Sequence, residues 1–238
     1  MNIAVIIAGG VGARTGNKIP KQFITVYDKP IIVYTLEKFQ KHKMIDAIEV
    51  VCIAGWEEVL KAYALQYGIS KLKYIVNGGN SSQESIKKGL DNLKNHCEAN
   101  DIIVVHDGIR PMVDENIISS CIDICRQKGN GVTAYPVYEQ IFETADEEST
   151  EKYIQRDKLR IVQTPQAYKY KEIFDVYTEG FKLNIGIHNS SYANTLMADM
   201  GKKLYFSMGS TKNIKITTKD DVEIFKAMLR QSGEKDDL

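Results

Sequence analysis

The most informative stretch of this sequence runs from residue 7 to residue 23 and reads Ile7-Ala8-Gly9-Gly10-Val11-Gly12-Ala13-Arg14-Thr15-Gly16-Asn17-Lys18-Ile19-Pro20-Lys21-Gln22-Phe23. It contains four glycines, two lysines and one arginine but no acidic residue, and it follows an apolar run at 3–7 that predicts a buried strand. Glycines let backbone N–H groups approach a ligand closely, and successive N–H groups in a turn form a concave anion site. With the positive charges of Arg14 and Lys21, the pattern predicts a cradle for a triphosphate.

Two common phosphate-binding patterns do not fit this loop. The dinucleotide fingerprint G-x-G-x-x-G needs its third glycine where Thr15 stands, and Gly16 comes one position late. The P-loop pattern needs a Gly-Lys pair, and the loop has none. The loop does resemble the nucleotidyltransferase signature G-G-x-G-x-R followed by Pro-Lys; those enzymes pass an NMP from a nucleoside triphosphate to a phosphorylated acceptor. A glycine-rich turn with incidental surface charges is the structural alternative.

Charge and cysteine content narrow the class of protein. The 238 residues carry 31 Lys and Arg against 31 Asp and Glu, so no global field favours nucleic acid or a membrane, and we expect neither as a partner. The length fits one α/β domain over 1–232, followed by a disordered polar tail at 233–238. The four cysteines lack C-x-x-C spacing, and no signal sequence or long apolar run occurs, so we expect a soluble cytoplasmic protein with reduced thiols.

Strand and helix patterns alternate along the chain. Apolar, β-branched runs occur at 3–7, 47–53, 73–76, 102–105 and 131–135, and amphipathic stretches at about 31–42, 56–67, 81–95 and 114–127. Two further helices are predicted near 171–179 and 191–200, strand-like segments at 203–207 and 214–217, and a last helix at 218–230. The alternation predicts an α/β fold with a Rossmann-like, mostly parallel sheet and helices on both faces. Ligands bind beyond the carboxyl ends of such strands, so we expect the loops 8–23, 77–85 and 106–111 to converge.

Residues 136–160 interrupt the alternation. Residues 136–144 read as an extended strand, 145–151 as a polar tip and 152–156 as a return strand. A hairpin of this length has no obvious place in a parallel sheet, so it either packs on its own domain or reaches a second subunit. We predict a protruding β-arm at about 136–160.

In six stretches, the chain resembles the cytidylyltransferases that act on polyol phosphates. The stretches are Ala8 to Gln22, Gly78-Gly79 through Ser85, Val105-His106-Asp107 with Arg110-Pro111, the hairpin, Gln163-Thr164-Pro165-Gln166, and Asn213-Ile214-Lys215-Ile216-Thr217. The family includes the 2-C-methyl-D-erythritol 4-phosphate enzyme of isoprenoid synthesis and the ribitol 5-phosphate enzyme of wall-polymer synthesis. The resemblance implies a homodimer whose β-arms complete the partner's acceptor site. It also implies transfer of CMP from CTP to a polyol phosphate, with Mg²⁺ as cofactor and pyrophosphate as the second product.

The same resemblance assigns the nucleotide side of the site. Arg14, Lys21 and Lys215 would be catalytic, the first two on the triphosphate and Lys215 at the α-phosphate and the acceptor phosphate. The residues expected to bind the nucleotide are Ala8, Gly9, Gly10, Gly12, Gly79, Asn80 and Ser85. CTP carries about four negative charges and the acceptor phosphate nearly two more, so attack on the α-phosphorus needs several positive groups and a metal ion. Without the resemblance, Lys215 would be interpreted as a solvated lysine at a strand edge, and Ser85 as a helix N-cap.

The acceptor side is assigned in the same way. The residues expected to bind the acceptor are Asp107, Arg110, Gln140, Arg156 and Thr164, with Arg156 reaching in from the partner subunit. Asp107, just after the run 102–105, is also placed to bind Mg²⁺. The structural alternatives are a helix N-cap or turn residue for Asp107 and a structural ion pair for Arg110, and His106 is expected to be structural.

The acceptor side departs from the family pattern in two places. The erythritol-phosphate enzymes usually carry Asp-Thr in the arm where this chain has Glu139-Gln140, and the family's Thr-Asp-Glu turn falls on Ser191-Tyr192-Ala193. Unpaired buried polar groups cost about 1–3 kcal/mol each, so a site built for one set of hydroxyls rejects others. We therefore predict an acceptor for cell-surface polymers, ribitol 5-phosphate or a glycerol phosphate, with the erythritol phosphate of isoprenoid synthesis as the alternative.

Two other classes of function stay open at this level. The missing acids of the 191–193 turn also fit a nucleotide-binding protein without catalytic activity. An NAD-dependent oxidoreductase on a similar core is the other class, although the position of Gly16 and the basic loop argue against it.

Overall fold

The computed structural model describes residues 1–10, 19–188 and 192–232. The strands in these ranges are β1 (Asn2–Ala8), β2 (Thr25–Val26), β3 (Lys29–Pro30), β4 (Ala47–Cys52), β5 (Leu72–Asn77), β6 (Ile102–Asp107), β7 (Asn130–Pro136), β8 (Ile141–Glu143), β9 (Lys152–Ile154), β10 (Arg160–Lys169) and β11 (Phe206–Met208). The α-helices are α1 (Ile31–Lys41), α2 (Glu57–Gln66), α3 (Ser82–Asn92), α4 (Glu115–Lys128), α5 (Tyr170–Leu183), α6 (Ala193–Asp199) and α7 (Lys219–Gln231). The alternation of strands and helices up to residue 136 is as the apolar pattern predicted, except for the short β2 and β3, which were not predicted.

Seven strands form one sheet in the order β11-β7-β10-β6-β1-β4-β5. β1 pairs in parallel with β4 and β6, β4 with β5, and β7 with β11. β10 runs antiparallel between β6 and β7. The prediction of a mostly parallel α/β sheet is therefore confirmed. The carboxyl ends of β1, β4, β5 and β6 lie at one edge, where ligands of such sheets bind.

Helices cover both faces of this sheet. Alternate residues of β1 belong to different apolar clusters: Ala4 and Ile6 pack with α1, α2 and α4, whereas Ile3 and Val5 pack with α3, α5 and α6. This is the expected result of side chains that point to opposite faces along a strand. A third cluster joins α7 to α1 through contacts that include Phe225. The core is thus two-sided, as a near-continuous apolar strand requires.

β10 was not predicted from the sequence. Its middle carries Gln163, Thr164 and Gln166, which interrupt any apolar run, yet all three are buried. They are accommodated because hydrogen bonds to other buried groups satisfy their polar atoms. The register of β10 against β7 shifts between Val162 and Gln166, and the Thr164–Pro165 peptide bond is cis.

The predicted hairpin is present, with shorter strands than expected. β8 and β9 pair in antiparallel fashion, with Phe142 opposite Tyr153. Both of these side chains are more than half exposed, as is Tyr138 before β8. The arm therefore carries apolar side chains that its own subunit leaves uncovered.

The end of the chain differs from expectation in two places. The strand-like segment 203–207 forms only the short β11, and the strand expected at 214–217 was wrong. Residues there are fastened to the loop after β6 instead, since the Ile216 N–H donates to the Ile109 carbonyl at 2.9 Å. α7 begins with a capping box of Thr218 and Asp221. The predicted tail at 233–238 lies outside the described residues. No helix in the described ranges is long and apolar enough to cross a membrane.

Candidate active site

Two glycine-containing loops meet at the carboxyl ends of β1 and β5. A Cβ added to Gly9 would lie 3.2 Å from the Gly78 Cα and 3.2 Å from the Ser85 Oγ. The Gly78 N–H donates to the Cys52 carbonyl at the end of β4, at 2.7 Å. The expected convergence of the loops after residues 8 and 77 is therefore confirmed, and it depends on glycine because side chains would separate the two backbones.

Ser85 organises the loop before α3. The Gly79 N–H donates to the Ser85 Oγ at 3.0 Å, and the Ser85 hydroxyl donates to the Ser81 carbonyl at 2.8 Å. Ser81 is the N-cap, since its side chain accepts from the Glu84 N–H, so the N-cap alternative for Ser85 is wrong. Asn80 donates its N–H to the Glu84 carboxylate at 2.7 Å. Ser85 holds Gly79 in place, and the predicted contacts of Gly79, Asn80 and Ser85 with a nucleotide stay predictions.

Gln22 ties the end of the loop 8–23 to its beginning. Its buried side-chain amide donates to the carbonyls of Ala8 at 2.6 Å and Gly10 at 3.2 Å. Lys21 precedes it in a short 3-10 turn, Lys21–Phe23, so the lysine is held next to the end of β1. Gln22 was not assigned a role from the sequence. The predicted phosphate contacts of Gly12 and Arg14 fall on residues outside the described ranges.

Three charged side chains meet at the end of β6. The Asp107 Oδ2 accepts from the Arg110 Nε at 3.0 Å and lies 3.2 Å from the Lys215 Nζ. The side chain of Asp107 is 14% exposed, that of Arg110 7% and that of Lys215 28%. Burial raises the pKa of Asp107, but Lys215 and Arg110 lower it more, so its pKa lies below the ordinary value. The cluster therefore holds two cations and one ionised carboxylate.

Long-range hydrogen bonds bring this cluster together. The Arg110 Nη1 donates to the Asn213 carbonyl at 2.8 Å, and the Gln163 side-chain amide donates to the same carbonyl at 2.9 Å. The Asn213 side-chain amide donates to the Thr164 carbonyl at 2.8 Å. The Thr164 hydroxyl in turn accepts from the Asp107 N–H at 3.1 Å. The irregular part of β10 is thus the point where the loops after β6 and before α7 are fastened.

His106 plays the structural role expected of it. The side chain is fully buried, its Nε2 lies 3.2 Å from the Arg110 carbonyl, and its ring packs 5.0 Å from that of Phe39. Burial lowers its pKa to about 4, so the ring is neutral at neutral pH. It supports the Asp107–Arg110 turn from inside the core.

Tyr192 lies against the charged cluster. The Lys215 Nζ donates to the Tyr192 hydroxyl at 3.3 Å, and the same nitrogen is 4.8 Å from the centre of the ring. The Gln83 side-chain amide donates to the Tyr192 carbonyl at 3.0 Å, and Gln83 accepts from the Tyr177 hydroxyl at 2.6 Å. Gln83 was missed from the sequence. It shares an apolar helix face with Ile86 and Leu90, and a polar residue in that position is a signal that could have revealed it.

Nearly the whole chain matches one known protein family. A sequence profile described as "IspD: 2-C-methyl-D-erythritol 4-phosphate cytidylyltransferase" matches residues 2–231. The chain belongs to the IspD family. The predicted class of enzyme, a cytidylyltransferase and therefore a nucleotidyltransferase, is confirmed. The oxidoreductase alternative is correspondingly excluded.

Relatives with two different acceptors are similar to this chain. A ribitol-5-phosphate cytidylyltransferase of Lacticaseibacillus paracasei is 50% identical over 231 residues, which are 97% of this chain and 99% of that protein. A 2-C-methyl-D-erythritol 4-phosphate cytidylyltransferase of Clostridium acetobutylicum is 35% identical over 237 residues, 98% of this chain and 99% of that one. Among solved structures, 4-diphosphocytidyl-2C-methyl-D-erythritol synthase from Anaerococcus prevotii aligns with a TM-score of 0.81 at 26% identity, covering 96% of each chain.

The arm residues of this IspD-family enzyme stand apart from the charged cluster. The Arg156 Nη1 donates to the Tyr138 carbonyl at 2.6 Å, and Gln140 is exposed just before β8. Neither has a contact with Asp107 or Lys215 in the part of the chain that the structure describes. The predicted acceptor contacts of Gln140 and Arg156 therefore stay predictions.

Asp107 is the carboxylate that could contribute to a metal site. Among the described residues, no three His, Cys, Asp or Glu side chains are grouped so as to hold an ion. Both cations contact the Asp107 Oδ2, and within the described ranges Oδ1 accepts no hydrogen bond. Mg²⁺ is commonly held by one or two carboxylates plus substrate phosphates, so a single oxygen from Asp107 fits that ion only together with a bound nucleotide.

Proposed function

We propose that this enzyme transfers CMP from CTP to ribitol 5-phosphate, giving CDP-ribitol and pyrophosphate. The observation that carries the proposal is the 50% identity over 97% of the chain to a ribitol-5-phosphate enzyme, against 35% to an erythritol-phosphate enzyme. The altered acceptor side, with Tyr192 on Lys215, supports it. The product belongs to the synthesis of cell-surface polymers, in the cytoplasm.

The reaction needs charge neutralisation and alignment rather than a covalent intermediate. An oxygen of the acceptor phosphate attacks the α-phosphorus of CTP, a new P–O bond forms, and the bond to pyrophosphate breaks. Two unit charges about 4 Å apart repel by about 4 kcal/mol at an effective dielectric of 20, so cations must stand where the phosphates meet. Lys215, fixed by Asp107, supplies one there, and Lys21 with Arg14 offsets charge on the triphosphate. Arg110 keeps Asp107 ionised and oriented.

Mg²⁺ is part of the same proposal. Asp107 would hold the ion through Oδ1, and the phosphates of CTP would supply other oxygen ligands. When bound, the ion neutralises negative charge on the phosphates. If this is right, chelation with EDTA abolishes turnover and added Mg²⁺ restores it; full activity in EDTA would remove the metal from the proposal.

A homodimer completes the proposed acceptor site. The support is the arm itself, whose side chains Phe142 and Tyr153 are more than half exposed, together with Arg156 and Gln140 on a part of the chain remote from Lys215. Burial of such side chains against a second subunit stabilises the dimer by roughly 25 cal/mol per Å². Sedimentation equilibrium that gives a monomer at assay concentrations would contradict this part.

The acceptor is tested by measuring pyrophosphate release with CTP and Mg²⁺. Ribitol 5-phosphate, glycerol 3-phosphate and 2-C-methyl-D-erythritol 4-phosphate are compared as acceptors. We expect the largest kcat/KM with ribitol 5-phosphate, by at least about 10-fold over the erythritol phosphate, because hydroxyl mismatches leave buried polar groups unpaired. A preference for the erythritol phosphate would reverse the assignment, and binding of CTP without turnover would favour the non-catalytic alternative.

A further inference from the structure

The Lys215 ammonium lies between a carboxylate and an aromatic ring. The Asp107 Oδ2 is 3.2 Å away, the Tyr192 hydroxyl oxygen 3.3 Å and the Tyr192 ring centre 4.8 Å. A cation at this distance from a tyrosine ring is attracted by the ring as well as by the hydroxyl oxygen. Tyr192 therefore helps to fix the position of the group that carries positive charge to the reacting phosphates.

The hydroxyl of Tyr192 has one interaction left to make. Its oxygen accepts from Lys215, because an ammonium can only donate, and this leaves the phenolic proton to be donated elsewhere. Within residues 1–10, 19–188 and 192–232 it has no acceptor. Tyr192 and Lys215 are both partly exposed, so this donor is at the open side of the cluster.

The position of Tyr192 is fixed from behind. Its carbonyl accepts from the Gln83 side-chain amide at 3.0 Å and from the Thr195 hydroxyl at 2.7 Å. Gln83 is fully buried and is anchored by the Tyr177 hydroxyl at 2.6 Å. Tyr192 is also the residue at which α6 begins. These bonds hold the backbone at Tyr192, and the side chain is in turn held by its contact with Lys215.

The net charge of the cluster explains why a neutral side chain at position 192 suits a phosphate ligand. Asp107 contributes one negative charge and Arg110 with Lys215 two positive ones, so the three side chains carry a net single positive charge. A carboxylate at position 192 would cancel it and compete with the acceptor phosphate for Lys215. A phenol leaves the positive charge available to a phosphate and adds a neutral hydrogen-bond donor beside it.

We propose that Tyr192 is a specificity-determining residue of the acceptor site, whose ring holds the Lys215 ammonium while its hydroxyl donates to a hydroxyl oxygen of an uncharged polyol chain. The inference rests on the proposed function and deepens it, since it names the side chain that distinguishes the acceptor. It makes Tyr192 a residue of the acceptor half, with no contact to the cytidine.

The hydroxyl is tested with Tyr192→Phe, which keeps the ring and removes the donor. Because Tyr192 is only partly buried, no buried group loses its partner and the variant folds. We expect the KM for ribitol 5-phosphate to rise about 3- to 10-fold, the range of one lost hydrogen bond, while the KM for CTP changes by less than about 2-fold. An unchanged KM for ribitol 5-phosphate, or equal rises for both substrates, overturns the proposal.

The charge argument is tested with Tyr192→Asp. This variant places an acid beside Lys215, where it offsets the net positive charge of the cluster. We expect the ratio of kcat/KM for ribitol 5-phosphate to that for 2-C-methyl-D-erythritol 4-phosphate to fall by at least about 10-fold. A ratio equal to that of the unaltered enzyme contradicts the assignment.

Tyr205→Phe is the matched control. Tyr205 also faces a lysine, with the Lys203 Nζ 5.5 Å from its ring, but its N–H is bonded to the Asn130 side chain at the start of β7, the edge of the sheet opposite the site. The kinetic constants of Tyr205→Phe stay unchanged if the effect at Tyr192 is local, and a parallel rise in its acceptor KM would refute that locality.

If the unaltered enzyme turns over no polyol phosphate, the proposed function fails and this inference with it. Turnover by the unaltered enzyme with no effect of Tyr192→Phe refutes the inference alone.

Discussion

The loop 77–85, proposed to bind the base (the base loop), and the cluster of Asp107, Arg110 and Lys215, proposed to bind the acceptor (the acceptor cluster), are held together by contacts of very different range. In the loop before α3, the Gly79 N–H reaches the Ser85 hydroxyl 6 residues away, and Ser85 reaches a carbonyl 4 residues away. In the acceptor cluster, Arg110 bonds to the Asn213 carbonyl 103 residues away, and Asp107 to Thr164 across 57. The internal order of the loop before α3 is therefore largely local, although Gly9 and Tyr192 contact it from distant segments, whereas the acceptor cluster is a product of the whole fold.

With these proposed roles, the difference would allow the family to keep one substrate and change the other. The base loop uses backbone groups and glycines, which few substitutions can alter without closing the site. The acceptor cluster uses side chains from separate loops, so a single substitution such as that at Tyr192 changes its polarity and leaves the base loop intact. Relatives with ribitol and erythritol acceptors on one shared fold fit this division.

Each of the two regions also has one buried titratable side chain beneath it, Glu49 under α3 and His106 beside Asp107. Glu49 in β4 lies beneath α3: Asn92 donates to its Oε1 at 2.7 Å, and its Oε2 has no hydrogen-bond partner among the described residues. Burial raises the pKa of Glu49 to about 8, whereas burial lowers the pKa of His106 on the acceptor side to about 4. Both side chains are neutral at pH 7, but they link stability to pH with opposite signs.

Removal of Lys215 tests the acceptor side most severely. Lys215→Ala should lower kcat for pyrophosphate release at least 10²-fold, since loss of one preorganised stabilising group costs about 3 kcal/mol. Lys212→Ala, on an exposed residue of the same segment, is the control and should retain kcat. Near-normal turnover of Lys215→Ala would contradict the role of the cluster.

Glu49→Gln tests how the buried carboxyl group beneath α3 makes the free energy of unfolding depend on pH. The pKa of Glu49 is higher in the folded than in the unfolded protein. Its contribution to the free energy of unfolding is therefore fully present below 4.5, the pKa in the unfolded chain, and is lost as pH rises towards 8. Between pH 4 and pH 6.5, its pKa in the unfolded chain, His106 instead makes the free energy of unfolding rise with pH. Between pH 6.5 and pH 8, the change therefore comes from Glu49. In that window the free energy of unfolding should fall by about 2 kcal/mol, because one pKa unit is worth about 1.4 kcal/mol.

The measurement is urea unfolding at pH 6.5 and pH 8. Glu49→Gln should remove most of the decline, whereas Glu58→Gln, whose side chain is 84% exposed, should keep it. The same slope in the Glu49→Gln protein and the unaltered protein would show that Glu49 is already ionised in the fold.

Gly79→Ala tests the local character of the base loop and has the smallest expected effect. A Cβ at this position would lie 2.3 Å from the Glu84 Cβ and 3.0 Å from the Glu84 backbone carbon, so the loop must shift. We expect the KM for CTP to rise about 10-fold, equivalent to about 1.4 kcal/mol, with little change in the KM for the acceptor. At Gly10 a Cβ meets nothing within 4 Å among the described residues, and Gly10→Ala should have the smaller effect on CTP. Equal rises for CTP and the acceptor would show that the two halves are not independent.

The fold was more predictable from the sequence than the acceptor site. The parallel strands β1, β4, β5 and β6 can be recognised in the sequence as apolar runs because both of their faces are buried. Each run lies within a single short segment of the sequence. β10 gave no such signal, since Gln163 and Thr164 are buried by virtue of partners elsewhere in the chain. A pattern read along the sequence cannot register a polar residue that tertiary hydrogen bonds satisfy.

By itself, the sequence determined the α/β class and the meeting of the loops after β1 and β5, and its resemblance to a known family gave the transfer of a nucleotide. The α/β class depends on periodicity, a property of short segments, and the meeting of the loops follows from the parallel order of the strands and the freedom of glycine. Only the tertiary structure decided that Lys215 is held between Asp107 and Tyr192, and that Gln83 supports Tyr192. The reason is physical: those contacts join segments 23 to 109 residues apart in the chain, and only the packing of helices onto both faces of the sheet brings them together.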